Sequence, residues 1–198
     1  YESLKNRPLT PTVKYLPDWS DPSIKAIPRL KNINKIKFMS AGMLAHRKGF
    51  DLLLKAIKLI PDSTRTNFDF TIFGDGGQRG ELEHMISSLG LDSCVTLAGF
   101  ASDLTPHYNS FDAFILSSRY EGFPLVMVNA LASGMPVIAF DCETGPRDIV
   151  VSGFNGVLVG NGDVEKMSEA IISFSSSFRD MDYYKNCITS SSKYSLVN

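Results

Sequence analysis

Two short stretches carry residues of types and spacing that could do chemistry. The first, "AGMLAHRKGF" at 41–50, joins an apolar run to the amphipathic "GFDLLLKAIKLI". Gly42 permits a tight turn, and Arg47 and Lys48 set two cations where a helix is expected to begin. The helix dipole disfavours cations there unless an anion is close. A phosphate would be such an anion, and a pair of solvated surface cations is the plainer alternative. The second stretch is "RYEGFPLVMVNALASGMPVIAF" at 119–140. Glu121 stands just ahead of an apolar helix, where the same dipole stabilises a carboxylate whether or not it has a chemical role. Pro124 suits the first helical position, where its missing N–H costs nothing. Backbone N–H groups around Phe123, Leu125 and Val126 are then expected to be free at the helix mouth.

Two further loops follow apolar runs. "FGDGGQRGE" at 73–81 offers Gly74, Gly76, Gly77 and Gly80, spaced G-x-G-x-x-x-G after the second core strand. A dinucleotide fingerprint has a different spacing and belongs after the first strand. The glycines let a ligand approach the backbone, or serve only a tight turn. "VTLAGF" ends in Gly99 and Phe100, an aromatic that could stack a base or finish the core, and Asp103 is placed to cap the helix that follows. Other constellations are poor. The Gly-Lys-Ser/Thr of a Walker A loop is missing, and His46, His84 and His107 share no ligand spacing, His84 reading as a surface residue. "DMD" at 180–182 looks like a metal-binding D-x-D but falls in the tail. A hydrolase needs two placed carboxylates, and only Glu121 is in position.

The elements that must hold these loops alternate along the chain. "IKFMSAG", "FDFTIFG", "CVTLAGF", "DAFILSS", "PVIAF" and "GVLVG" read as strands, separated or followed by the helices "GFDLLLKAIKLI", "GELEHMISSLG", "DLTPHYNS", "PLVMVNALASG", "GPRDIVV" and "DVEKMSEAIISFSSSF". Continuously apolar strands separated by helices predict an α/β domain, a doubly wound parallel sheet covered on both faces. Ligands bind at the carboxyl ends of such strands, where all four loops fall. Five of the 10 prolines lie in the first 28 residues, which read as an extended linker with one short strand, "VKYLP". The expected organisation is a linker over 1–34, the folded unit over 35–178 and a partly helical tail over 179–198, the whole reading as though cut from something longer.

Composition excludes more than it selects. The 198 residues are 43% hydrophobic and 21% charged, with a formal net charge of -1. That is ordinary for a globular domain and gives no electrostatic case for nucleic acid or an anionic membrane. Cys94, Cys142 and Cys187 are far apart, which fits a reducing compartment rather than a disulfide framework. No apolar run reaches the roughly 18 residues of a membrane span, and "YESLKNRPLT" does not look like a signal peptide.

The run G-x-L-x-x-x-K-G-F-D-x-L-L-x-A at 42–56, then "IFGDG", "LAGF", "SSRYEGFPLVMVNALASGMPVIAFDCETGPRDIV" and "NGVLV", resembles the C-terminal half of a retaining glycosyltransferase of family 4, with the two-domain GT-B architecture. The similarity spans about residues 35–170 with its motifs in order. It implies a Rossmann-like domain that binds a nucleotide-sugar donor, UDP- or GDP-linked, without a metal cofactor. It also implies a missing N-terminal domain for a glycan or lipid-linked acceptor, a role in cell-surface polysaccharide biosynthesis, and a fragment inactive by itself. The location implied is cytoplasmic, with any attachment to the inner membrane face left to the missing half.

By the same resemblance Lys48 neutralises the donor diphosphate, and Gly99 with Phe100 holds the base. Glu121, the first glutamate of an E-x7-E motif, faces the donor sugar, and Gly122, Phe123, Pro124 and Leu125 present backbone amides. Gly42 and Gly74 belong to the donor loops. Two positions depart from the pattern. Met43 stands where the family commonly has arginine, leaving Arg47 as the nearby substitute. Asn129 stands where the second glutamate would grip ribose, and a neutral acceptor lacks the charge assistance that makes a carboxylate roughly twice as strong. A catalytically decayed nucleotide-sugar binding module is therefore the alternative.

Overall fold

The computed structural model describes residues 23, 24, 26, 35–177 and 181–194. The linker expected over 1–34, with its strand "VKYLP", falls almost wholly outside them, as does Asp180 of the D-x-D. Along the described chain run β1 (Ile36–Ala41), α1 (Phe50–Leu59), α2 (Asp62–Arg65), β2 (Phe68–Phe73), α3 (Arg79–Ser88), β3 (Val95–Gly99) and α4 (Thr105–Tyr108). There follow β4 (Ala113–Leu116), α5 (Leu125–Ala132), β5 (Val137–Asp141), α6 (Pro146–Ile149), β6 (Gly156–Gly160), α7 (Val164–Ser177) and α8 (Met181–Ser192). The strands form one parallel sheet in the order β3-β2-β1-β4-β5-β6. This is the doubly wound order, and it follows from right-handed crossovers that run outward in both directions from the centre.

Side chains alternate across each strand, so the apolar runs feed two cores. Phe38, Phe70, Ile115 and Phe140 face one side, where α1, α3 and α7 close over them. Met39, Phe114, Leu116 and Ala139 face the other, beneath α5, α6 and α8. Phe38 is the centre of the first core: it stacks on Phe70 at 5.0 Å and meets Phe68 and Phe174 edge-on, each at 5.5 Å. Such contacts add to simple area burial.

The helical piece of the tail is α8, which lies against α5. Cys187 on it is fully buried, and beyond it the Tyr194 hydroxyl donates to the Asp148 carbonyl at 3.0 Å. Asp182 is exposed in the first turn of α8, and His84 is exposed on α3. None of the three cysteines is in a disulfide, and all three are buried. Among the described residues no helix is long and apolar enough to cross a membrane.

Replacing Phe38 by Ala is expected to destabilise the domain by about 3–5 kcal/mol. Urea denaturation checks this, the midpoint falling while the slope stays constant.

Candidate functional site

β1 and β4 are neighbours in the sheet, but their chains leave in opposite directions, opening a crevice at their carboxyl ends. Two loops line it. After β1 the chain makes a single 3-10 turn, His46–Lys48, which Gly49 ends at φ 64°. A Cβ at Gly49 would lie 2.0 Å from the Ser117 carbonyl oxygen, so only glycine fits between this turn and the loop after β4. Arg47 and Lys48 thus sit on a separate turn ahead of α1, not in its first residues as expected.

The anion facing those cations is Glu121. Lys48 Nζ donates to Glu121 Oε1 at 2.6 Å, and the Ser118 hydroxyl donates to the same oxygen at 2.6 Å. Arg47 reaches Oε2 at 3.7 Å. The side chains of Lys48 and Glu121 are only 11% and 5% exposed. A buried charge pair survives only when its remaining hydrogen-bonding capacity is also met, and Ser118 and Arg47 contribute to that. The plainer alternative of solvated surface cations does not describe Lys48.

Neighbouring groups hold the two loops in register. Arg119 grips Asp51 at the start of α1 with two parallel bonds of 2.7 Å, and also donates to the His46 carbonyl at 2.7 Å. The Ser117 hydroxyl donates to the Lys48 carbonyl at 3.0 Å. From below, the Thr144 hydroxyl donates to the Glu121 carbonyl. Burial pushes the Asp51 carboxyl up, but the Arg119 guanidinium more than offsets it and holds the group below the usual carboxylate range. Its partner Arg119 is raised for the same reason. None of Ser118, Asp51, Arg119 or Thr144 stood out in the sequence as a site residue. The Asp51–Arg119 contact joins positions 68 apart, and spacing along one chain gives no signal for such a pair.

The mouth of α5 differs from expectation in detail. Pro124 is the cap rather than the first helical residue; its carbonyl accepts the Met127 and Val128 N–H groups while its own ψ of 85° stays outside the helix. The Leu125 N–H is not free, since it donates to the Phe123 carbonyl at 3.1 Å. The Phe123 ring is turned to Tyr194, which it meets edge-on at 5.5 Å. Gly122 is exposed at the turn. The cap of α4 is Leu104 rather than the expected Asp103, whose carboxylate stands one residue earlier and accepts the Thr105 N–H at 2.8 Å.

An apolar cleft of about 370 Å³ runs along the carboxyl ends of β1, β2 and β3. Gly42 and Met43 line it from the first loop, Gly74 and Asp75 from the second, Phe100 from the third, and Val126 closes it from α5. Lys48 joins this cleft to Glu121, because its aliphatic stem crosses Gly42: a Cβ there would lie 3.1 Å from Lys48 Cε. Gly74 admits no side chain either, since a Cβ would fall 1.9 Å from the Gly42 carbonyl oxygen. The Gly74 N–H donates to the Gly99 carbonyl at 2.8 Å, and the β2–β3 register shifts at Ile72 and Phe73. Such irregularities re-aim chain ends beside sites. Phe100 is 76% exposed, so it is a rim residue and not the end of the core. Asn129 is half-buried one turn beyond Val126 and is not among the residues lining the cleft.

The model of the family described as glycosyl transferases group 1 matches residues 24–192. The chain belongs to that family, and its sheet is the Rossmann-like fold of GT-B glycosyltransferases. An exopolysaccharide phosphotransferase of Streptomyces coelicolor is 40% identical over 115 residues, 58% of this chain and 12% of that protein. The lipopolysaccharide core biosynthesis glycosyltransferase LpsE of Rhizobium meliloti is 33% identical over 133 residues, 67% of this chain and 37% of its own. The crystal structure of Anabaena HepE in complex with UDP superposes with a TM-score of 0.72 at 25% identity, over 81% of this chain and 45% of that one. The chain therefore spans less than half the length of each.

Replacing Lys48 by Met strands Glu121 with Arg47 and Ser118, and is expected to cost about 3–5 kcal/mol in urea denaturation. The lowered Asp51 value means its pairing stabilises the fold fully above the ordinary carboxylate value of about 4 and is lost as pH falls through the folded value. Asp51→Asn should therefore lower the urea midpoint at pH 7, and the gap to the parent should narrow toward pH 3.

Proposed function

We propose that this chain is the donor-binding half of a retaining glycosyltransferase, of the family 4 type, that moves a hexosyl group from a nucleoside diphosphate sugar to a glycan or lipid-linked acceptor in cell-surface polysaccharide biosynthesis. The observation that carries the reading is the buried Lys48–Glu121 pair where the apolar cleft meets the switch point of the sheet. Cleaving a sugar from a diphosphate builds negative charge on the leaving phosphate and positive charge on the ring. Lys48, assisted by Arg47, is a cation held beside the expected phosphate position, so the reaction needs no metal cofactor. Glu121 stands beside it as a carboxylate for the sugar. Gly99 and Phe100 offer a backbone edge and an aromatic face for the base. The UDP of the HepE complex makes uridine diphosphate the first nucleotide to try. The phosphotransferase relative aligns over too little of its length to weigh against sugar transfer.

Acceptor recognition, on this reading, belongs to an N-terminal half, and the 198 residues bind donor without transferring it. Calorimetric titration with UDP- and GDP-sugars is expected to show binding of one class; no binding of either overturns the proposal. In the full-length enzyme Glu121→Ala should abolish turnover and Lys48→Ala should raise donor KM, and near-normal kinetics in both would remove the site assignment.

The decayed module is kept as a second reading because Asn129 and Met43 replace charged family residues. Asn129→Glu discriminates: a large gain in donor affinity points to decay, little change to a working variant.

A further inference from the structure

From the order of the strands and the one carboxylate lining the cleft we infer that Asp75 grips the donor ribose, supplying from the β2 loop the charged acceptor that α5 lacks at Asn129. This rests on the donor-binding reading. Along the carboxyl edge of the sheet the strands run β3, β2, β1, β4. Their loops present, in that order, Phe100, Asp75, Gly42 with Lys48, and Glu121. A nucleoside diphosphate sugar has four parts in one fixed order: base, ribose, diphosphate and sugar. With Lys48 at the diphosphate and Phe100 at the base, the ribose falls over the end of β2. Three strand spacings of about 4.8 Å give about 14 Å from end to end, the scale of such a donor laid across the crest.

Asp75 has the chemistry for that place. Among the described residues the other side chains that line the cleft are apolar, so Asp75 is the only one of them able to accept hydrogen bonds from a diol. Its Oδ1 accepts the Gly76 N–H at 2.7 Å, which fixes the direction of the carboxylate, and no described residue donates to Oδ2. The loop is itself pinned, with Leu44 N–H donating to the Asp75 carbonyl at 2.9 Å. A Cβ at Gly76 would lie 2.5 Å from the Leu44 carbonyl oxygen. A charged acceptor for a ribose hydroxyl is stronger than the neutral Asn129 can offer.

The test is calorimetric titration of the 198-residue chain and of Asp75→Ala, Asp75→Asn and Asn129→Ala with UDP, GDP and their 2′-deoxy counterparts. The parent should prefer the ribonucleotide by about tenfold, the scale of one hydrogen bond to a charged group. Asp75→Ala should lose that preference by weakening only the ribonucleotide. Asp75→Asn can keep the turn by accepting the Gly76 N–H but presents an NH2 to the diol, and should lose most of it. Asn129→Ala should keep it. A preference that survives both Asp75 variants, or a parent that binds both sugars equally, overturns the ribose subsite while leaving donor binding intact. No binding of either ribonucleotide overturns the donor reading and this inference together.

Discussion

Burying Lys48 against Glu121 is the constraint around which the site is built. Taking both charges out of water costs several kcal/mol, and their attraction offsets this only with good geometry and satisfied neighbours. The geometry comes from far away in the chain. Gly49 lets the 3-10 turn press against Ser117, Arg119 ties the turn to Asp51, and Thr144 fixes the Glu121 backbone from the β5 loop. An exposed pair such as Lys166–Glu169, also at 2.6 Å, demands none of this and contributes little, because solvent screens it. Equal distances thus conceal very different consequences, and burial decides between them.

The pair stands where the sheet is weakest in covering. Each crossover lays a helix over one face, and at β1 and β4 the helices diverge to opposite faces. The loops between them satisfy polar groups through one another, as Arg119 does with Asp51 and the His46 carbonyl. A ligand with both charged and apolar parts can use such a crest, the charges near Lys48 and the flat apolar group near Phe100. Two close backbone approaches, Gly74 against Gly42 and Gly76 against Leu44, keep the crest low enough for the cleft to stay open.

Most of the fold was legible because its signals are local. Apolar runs such as "FDFTIFG" and "DAFILSS" and the glycines after strands mark β2, β4 and their loops, and alternation with helices marks a parallel sheet covered on both faces without saying which strands are neighbours. The short α2 and the 3-10 turn are not read from the sequence, although α4 and α6, of the same four residues as α2, are. Lys48 and Glu121 could be singled out separately from position and resemblance, but their pairing across 73 residues depends on β1 and β4 being neighbours, which is a fact of topology. The exact cap of α5 was displaced by one residue because Pro124 fits equally well just inside or just outside a helix start. Asp75 carries no signal in the sequence, because a Gly-Asp-Gly turn accounts for an aspartate without any ligand.

Energetics also bear on whether Asn129 marks a working or a retired site. If stability alone were served, an apolar pair of similar volume in place of Lys48 and Glu121 would do as well or better, since buried ion pairs are often matched or bettered by such replacements. Two cations and a carboxylate arranged around one buried point are therefore poorly explained as scaffolding. They are well explained if a phosphate and a developing sugar cation are to be met there by charges already in place, which removes the reorganisation that water would have to undergo. On the proposed reading a change at Asn129 concerns how tightly the nucleoside is held, and leaves in place the Lys48–Glu121 pair that would face the breaking bond. Within the proposed reading this balance weighs toward a working site over a decayed one, with Asn129 a matter of affinity rather than of chemistry.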